Sequence, residues 1–168
     1  MFPLAETYPI YYEKYLSLIK EDNVIDALQN NLINVKNVIA NIPASKENFA
    51  YAEGKWTVKQ VAQHVTDTER ILSYRALRFA RNDAQKTLPF DENLYASTSN
   101  VETKSLLEIT EEYLAVRAAT ILLYRSFNQE ALLRLGNAAS GQVSVLAIGF
   151  FICGHSLHHI NVINERYL

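Results

Sequence analysis

Val145-Leu146-Ala147-Ile148-Gly149-Phe150-Phe151-Ile152-Cys153-Gly154-His155-Ser156-Leu157-His158-His159-Ile160-Asn161-Val162 is the stretch that decides the fold. It shows no period-two alternation. Val145, Ile148, Ile152, His155, His159 and Val162 instead recur at helical spacing, which predicts a helix with one buried stripe. His155 and His159 are one turn apart, so their imidazoles leave one face about 6 Å apart along the axis. Outward from this core the helix is expected to cover residues 142–166.

Three more long helices are legible. The first is expected over 22–41, where Val24, Ile25, Leu28, Leu32, Val35 and Ile39 keep a 3–4 spacing and Pro43 forbids continuation. A short helix over 10–19 is expected ahead of it. The second has the clearest start. Thr57-Val58-Lys59-Gln60 fits a capping box, and Trp56 with Val61 fits a hydrophobic staple. It is expected to run to residue 81, with His64 two turns in beside Val61, Val65, Thr68 and Leu72. Residues 82–100 hold Pro89 and many polar groups and read as a long loop. Ser99 to Glu102 offers a second capping box, and the third helix carries Leu106, Ile109, Tyr113, Val116, Thr120 and Tyr124 as far as residue 127. A short helix over 129–135 fits the connection that follows. The chain thus reads as one all-α domain, 1–168, built as a four-helix bundle.

The histidines constrain the topology. His64 lies about seven residues from the start of the second helix, and His159 about seven from the end of the fourth. Antiparallel packing puts them at one depth, whereas parallel packing would separate them by roughly 15 Å. An up-down-up-down bundle makes these two helices parallel. The depth match therefore predicts up-down-down-up, with one long crossover between the second and third helices. The loop over 82–100 lies there and reaches roughly 60 Å when extended.

Bulk composition narrows the function classes. Hydrophobic residues make up 49% and charged residues 20%, with a formal charge of −2, an ordinary globular balance. A basic patch for nucleic acid is missing. Its nearest approximation, Arg70, Arg75, Arg78 and Arg81, reads as a solvated helix face. The single cysteine, Cys153, forbids an intrachain disulfide and fits a reducing compartment. No uninterrupted apolar run reaches the roughly 18 residues of a membrane span, and the N-terminus lacks the pattern of a signal peptide. A cytoplasmic location with no nucleic-acid or membrane partner is expected.

His64, His155 and His159 together offer three nitrogen ligands from two helices, which suits a divalent metal with an open coordination position. A lone histidine on an apolar stripe is ordinarily a packed residue with one hydrogen bond. One-turn spacing and shared depth favour the metal. His158 is turned about 100° from His159 and is expected at the rim. Asp67 and Glu69 read as solvated charges, Cys153 as a packed small residue, and Trp56 as a staple able to line the site.

Trp56-Thr57 through His64, and Gly154-His155-Ser156-Leu157-His158-His159-Ile160, resemble the motifs of the DinB-like (YfiT-like) superfamily across nearly the whole chain. The resemblance implies an up-down-down-up bundle, a metal on His64, His155 and His159, and a homodimer. Zinc is the first expectation for the metal, and nickel, iron or manganese also suit imidazole. Some relatives are thiol-dependent transferases, and others are hydrolases or isomerases. The expected function is activation of a low-molecular-weight thiol for attack on an electrophilic substrate, because the sequence offers no strong general base for hydrolysis. The alternatives are a metal-dependent hydrolase, a non-catalytic metal- or ligand-binding bundle, and a purely structural bundle with metal-free histidines.

Overall fold

The computed structural model describes residues 1–139 and 141–168. Its helices are α1 (Glu13–Leu16), α2 (Val24–Ala40), α3 (Val58–Ala80), α4 (Glu92–Ser97), α5 (Leu106–Arg125), α6 (Gln129–Leu133) and α7 (Val145–Arg166). Two short strands, β1 (Leu135–Ala138) and β2 (Gly141–Ser144), pair antiparallel ahead of α7.

Each long helix begins at a side-chain cap that satisfies otherwise orphaned backbone N–H groups. Asn23 accepts from the Ile25 and Asp26 amides, and Ser144 from that of Ala147. Thr57 and Gln60 form the expected reciprocal box, in which Thr57 accepts from the Gln60 amide at 3.2 Å and donates its own amide to Gln60 Oε1 at 2.9 Å. Thr57→Ala is expected to cost about 1 kcal/mol, read as a lower urea midpoint. An unchanged midpoint would show that this box contributes nothing.

Interhelix contacts fix the directions of the bundle. Gln63 meets Glu112, Glu69 meets Arg117 and Ser73 meets Thr120. Both numbers rise together, so α3 and α5 are parallel. Asn31 donates to the Cys153 carbonyl, and Val24 lies against Gly149, so α2 and α7 are parallel as well. His64 meets His155, while the Tyr167 hydroxyl near the end of α7 reaches back to the Trp56 carbonyl. Hence α3 and α7 are antiparallel. The bundle is up-down-down-up, and the segment between α3 and α5 is the long crossover, as the histidine depths require.

Four local expectations are corrected. The crossover is not all loop, because Asp91 accepts from the Asn93 and Leu94 amides and starts α4. The second capping box is not Ser99 to Glu102. Asn100 sits at φ 53°, a left-handed conformation that ends one turn and starts another, and Ser105 with Glu108 caps α5 instead. Residues 142–144 belong to β2 and not to the last helix, which begins where Ser144 caps it. The segment over 10–19 is a 3-10 turn, Ile10–Tyr12, running into the single turn α1.

By length and composition α7 qualifies as a membrane-crossing helix, yet 72% of its most apolar window is buried inside the bundle. It is the core helix. Gly154 lets α1 lie directly on it, since a Cβ there would stand 2.2 Å from the Tyr15 carbonyl oxygen.

The apolar core falls into two clusters, one around Leu28, Leu72, Ile121 and Cys153 and one around Val35, Val65, Tyr113 and Ile160. Between them every long helix contributes a buried polar side chain. Arg117 donates to both Glu69 carboxylate oxygens at 2.7 and 2.8 Å, to Asn31 Oδ1 at 2.6 Å and to the Leu28 carbonyl at 3.1 Å. Ser156 donates to Asn31 Oδ1 at 2.7 Å. Glu69, read from sequence as a solvated charge, is 2% exposed and Arg117 fully buried. Glu69 points to the bundle axis and pairs with a cation that linear order places 48 residues away.

Candidate metal centre

His64 comes from the second turn of α3, and His155 and His159 from adjacent turns of α7. Their Nε2 atoms converge, with His155 Nε2 3.1 Å from that of His64 and 3.1 Å from that of His159. The three candidate ligand nitrogens lie within 4.8 Å of one another. A ring nitrogen has one in-plane orbital, so His155 Nε2 cannot form a hydrogen bond to both neighbours at once. A cation at the common point would accept all three lone pairs. Bonds of about 2.0–2.1 Å to a divalent ion hold adjacent nitrogens roughly 3.0–3.4 Å apart, and the His64–His155 and His155–His159 spacings of 3.1 Å match that range.

The electrostatics keep these rings neutral, the form a metal requires. Burial lowers His64 to about 4, with the Glu92 carboxylate opposing. Burial and the neighbouring His64, His158 and Lys14 charges lower His159 to about 3. His155 is held well below its ordinary value, first by burial and then by His159 and His64. In the unfolded chain each would titrate near 6.5. The unfolded state therefore binds more protons below that pH, and stability falls as pH drops from about 6.5 toward 4. Urea midpoints of chelator-treated protein at stepped pH are expected to fall through that window and to stay flat from pH 7 to 8. A flat profile below 6.5 would contradict the burial of the triad.

His158 stays outside the converging set. Its ring is 5.2 Å from that of His159 and 5.4 Å edge-on to Tyr15, in the rim position its helical angle implies. Cys153 is buried, and burial pushes its thiol up to about 12, so it is packing and not a nucleophile. Asp67 accepts from Arg70 and Gln63 on the α3–α5 surface, away from the triad.

Two clefts open beside the histidines. One, of about 320 Å³, runs past all three and is walled by Tyr15, Trp56, Phe90 and Phe151. The other, of about 430 Å³, reaches His158 and His159 and carries Lys55, Asn93 and Arg166. Trp56 stands between them, lining both, with its ring 4.8 Å from that of His64. One chemical group in the first cleft was missed from sequence, and another, Arg75, was read as part of a solvated helix face but is half-buried and lines the cleft. Glu92, from α4 in the crossover, supplies a carboxylate near the triad, and Arg75 supplies a guanidinium. Asp91 two residues after Pro89 was the available sign of a helix start in that loop.

A sequence profile of the DinB superfamily matches residues 27–163. The chain belongs to the DinB superfamily. No curated protein matches it in sequence. Among solved structures it is similar to YfiT from Bacillus subtilis, described as a probable metal-dependent hydrolase with an unusual four-helix bundle topology. That match has a TM-score of 0.77 and 20% identity over 88% of this chain and 87% of that one. It is also similar to a mycothiol-dependent maleylpyruvate isomerase, with a TM-score of 0.70 and 11% identity, covering 87% of this chain and 61% of that longer one. Identities this low establish the shared fold.

Proposed function

We propose that this DinB-superfamily protein is a metal-dependent enzyme centred on His64, His155 and His159, and that it joins a low-molecular-weight thiol to an electrophile. The observation that carries the reading is that all three histidines line one cleft while His159 also lines a second, an arrangement that suits two substrates. A divalent ion held by three neutral imidazoles keeps its full charge, and so supplies Lewis acidity and favours the deprotonated form of a nucleophile. Zinc is the first candidate, since soft sulfur binds it well; nickel, iron and manganese are the others. The chain's own residues do the rest. His64, His155 and His159 fix the reaction point, while Trp56, Tyr15 and Phe151 exclude water on one side. The cations of the larger cleft attract the anionic groups that small thiols carry. We read the protein as a cytoplasmic homodimer.

Hydrolysis is the second reading, and Glu92 favours it. This carboxylate lines the same cleft as the triad and acts electrostatically on His64, and a carboxylate is the kind of group a general base for water requires.

The test begins with protein purified without a histidine tag. About one divalent ion per chain is expected by elemental analysis. Loaded protein is then assayed on electrophilic substrates with and without a panel of thiols, and on ester and amide substrates. Thiol-dependent turnover, together with a new absorption band when cobalt-loaded protein meets millimolar thiol, supports the first reading. Thiol-independent turnover abolished by Glu92→Gln supports the second. Metal-free protein would sink both.

A further inference from the structure

His64, Thr68, Leu72 and Arg75 follow one another along α3 at intervals of four, four and three residues, and all four line the aromatic cleft. Arg75 is half-buried. Its neighbours on the same helix are neutralised, Arg70 by Asp67 and Glu112 and Arg78 by Asp83. Arg75 makes no ion pair among the described residues, not even with Glu92 in the same cleft. One Nη2 hydrogen bond to the Leu88 carbonyl, at 2.6 Å, ties it to the crossover. A guanidinium has five N–H donors, so most of its donor capacity remains. A half-buried cation without a counter-ion, walled by Tyr11, Tyr12 and Phe90, has donors free for an anion entering the cleft.

We propose that Arg75 anchors the anionic end of the substrate that occupies this cleft, a slender apolar molecule carrying a carboxylate or phosphate remote from its reacting atom. This rests on the metal-centred reading of the triad and holds for either nucleophile. The spacing sets the length. Arg75 lies eleven residues beyond His64, about 16 Å along the axis, and its side chain leans back toward the helix N-terminus, which leaves roughly 10–14 Å between guanidinium and triad. A chain of about eight to ten bonds spans that. The walls between, Leu72, Phe151 and the tyrosines, offer apolar and aromatic surface, so the body of the molecule is hydrocarbon or aryl.

Trp56 is the only tryptophan of the chain and lines the cleft, so its fluorescence reports occupancy directly. Metal-loaded protein is titrated with octanoate, hexyl phosphate and neutral octanamide, none of which absorbs where tryptophan is excited. The better anion is expected to bind about tenfold or more tightly than the amide, the scale of a charge-assisted bidentate contact. Whether octanoate or the phosphate wins identifies the group. In R75Q, which keeps a donor for Leu88 but no charge, the preference should shrink to about twofold or less, and R75K should keep most of it. R75M, of similar length and without polar demand, serves as the second variant should R75Q melt early. An equal affinity of parent protein for anions and amide overturns the proposal, as does a preference that survives R75Q or R75M. Metal content measured on the same samples reads the triad separately. Metal-free protein with an Arg75-dependent preference removes the reaction centre and leaves the anchor; metal-loaded protein without that dependence does the reverse.

Discussion

His159→Ala protein is expected to lose more than about a hundredfold in metal affinity, while His158→Ala protein keeps nearly all of it. Loss of a group that merely orients a ligand costs about 10–100-fold, and removing one of three ligands costs more. The two histidines are adjacent in sequence and both line the clefts, so a general loss of imidazole or of local packing would affect them alike. Only the geometry separates them. His159 Nε2 is 3.1 Å from that of His155 and belongs to the converging set, and His158 does not. Retained metal after dialysis against a competing chelator measures both variants. Equal losses would mean that the metal sits elsewhere or is held nonspecifically by the histidine-rich turn. His64→Ala should behave as His159→Ala does, although it lies on another helix, and its melting curve would distinguish lost ligation from lost fold.

The parts of the fold that repeat were legible. Periodicity located the long helices, although α7 carries more than the single buried stripe expected of it, being buried all round over Val145–Ser156, and the box at Thr57 was readable because capping is a local event over four residues. Histidine depth gave the topology, since two side chains of one candidate metal site must share a height whatever the connections do. Failures fell where the local signal was weak or the deciding partner distant. Six residues of α4 carry too few turns for a period to show, and Asp91 was hidden among other polar residues. The hairpin pairs strands of four residues each, too short to alternate visibly, and β2 runs straight into α7. Glu69 read as a surface charge because Asp67, Thr68 and Arg70 surround it in sequence, and only the assembled bundle turns it toward Arg117. Glu92 was missed, and Arg75 read as solvated, for a related reason. A cleft joins residues by proximity, and the crossover that brings Glu92 near His64 has no sequence rule fixing where it lies on the bundle.

The second large effect is expected in that buried pair. Glu69→Ala leaves Arg117 a buried cation without its counter-ion, and breaking such a pair costs about 3–5 kcal/mol, a large part of the 5–15 kcal/mol that holds a typical domain together. A fall of that size in the unfolding free energy, from urea denaturation with an unchanged slope, is the expected reading. The double variant Glu69→Met with Arg117→Met should recover most of it, since apolar replacement of a whole buried pair is often neutral or stabilising by about 1–4 kcal/mol. The methionines would join two apolar clusters that lie directly above and below. Stability and site geometry should then part company. Arg117 ties α3 to α2 and α5, and Asn31 ties α2 to α7 through Ser156 and the Cys153 carbonyl. Ser156 is the residue next to His155, and Glu69 follows His64 by little more than a turn. With the charged pair gone, α3 loses its buried polar tie to α2 and α5 and keeps the Gln63–Glu112 and Ser73–Thr120 contacts at its edges, so the register that brings the three Nε2 atoms together is held less firmly. A double variant that folds as well as the parent yet holds metal more weakly is the expected result. A double variant with both properties intact would show that the register of α3 against α7 does not depend on the buried charged pair.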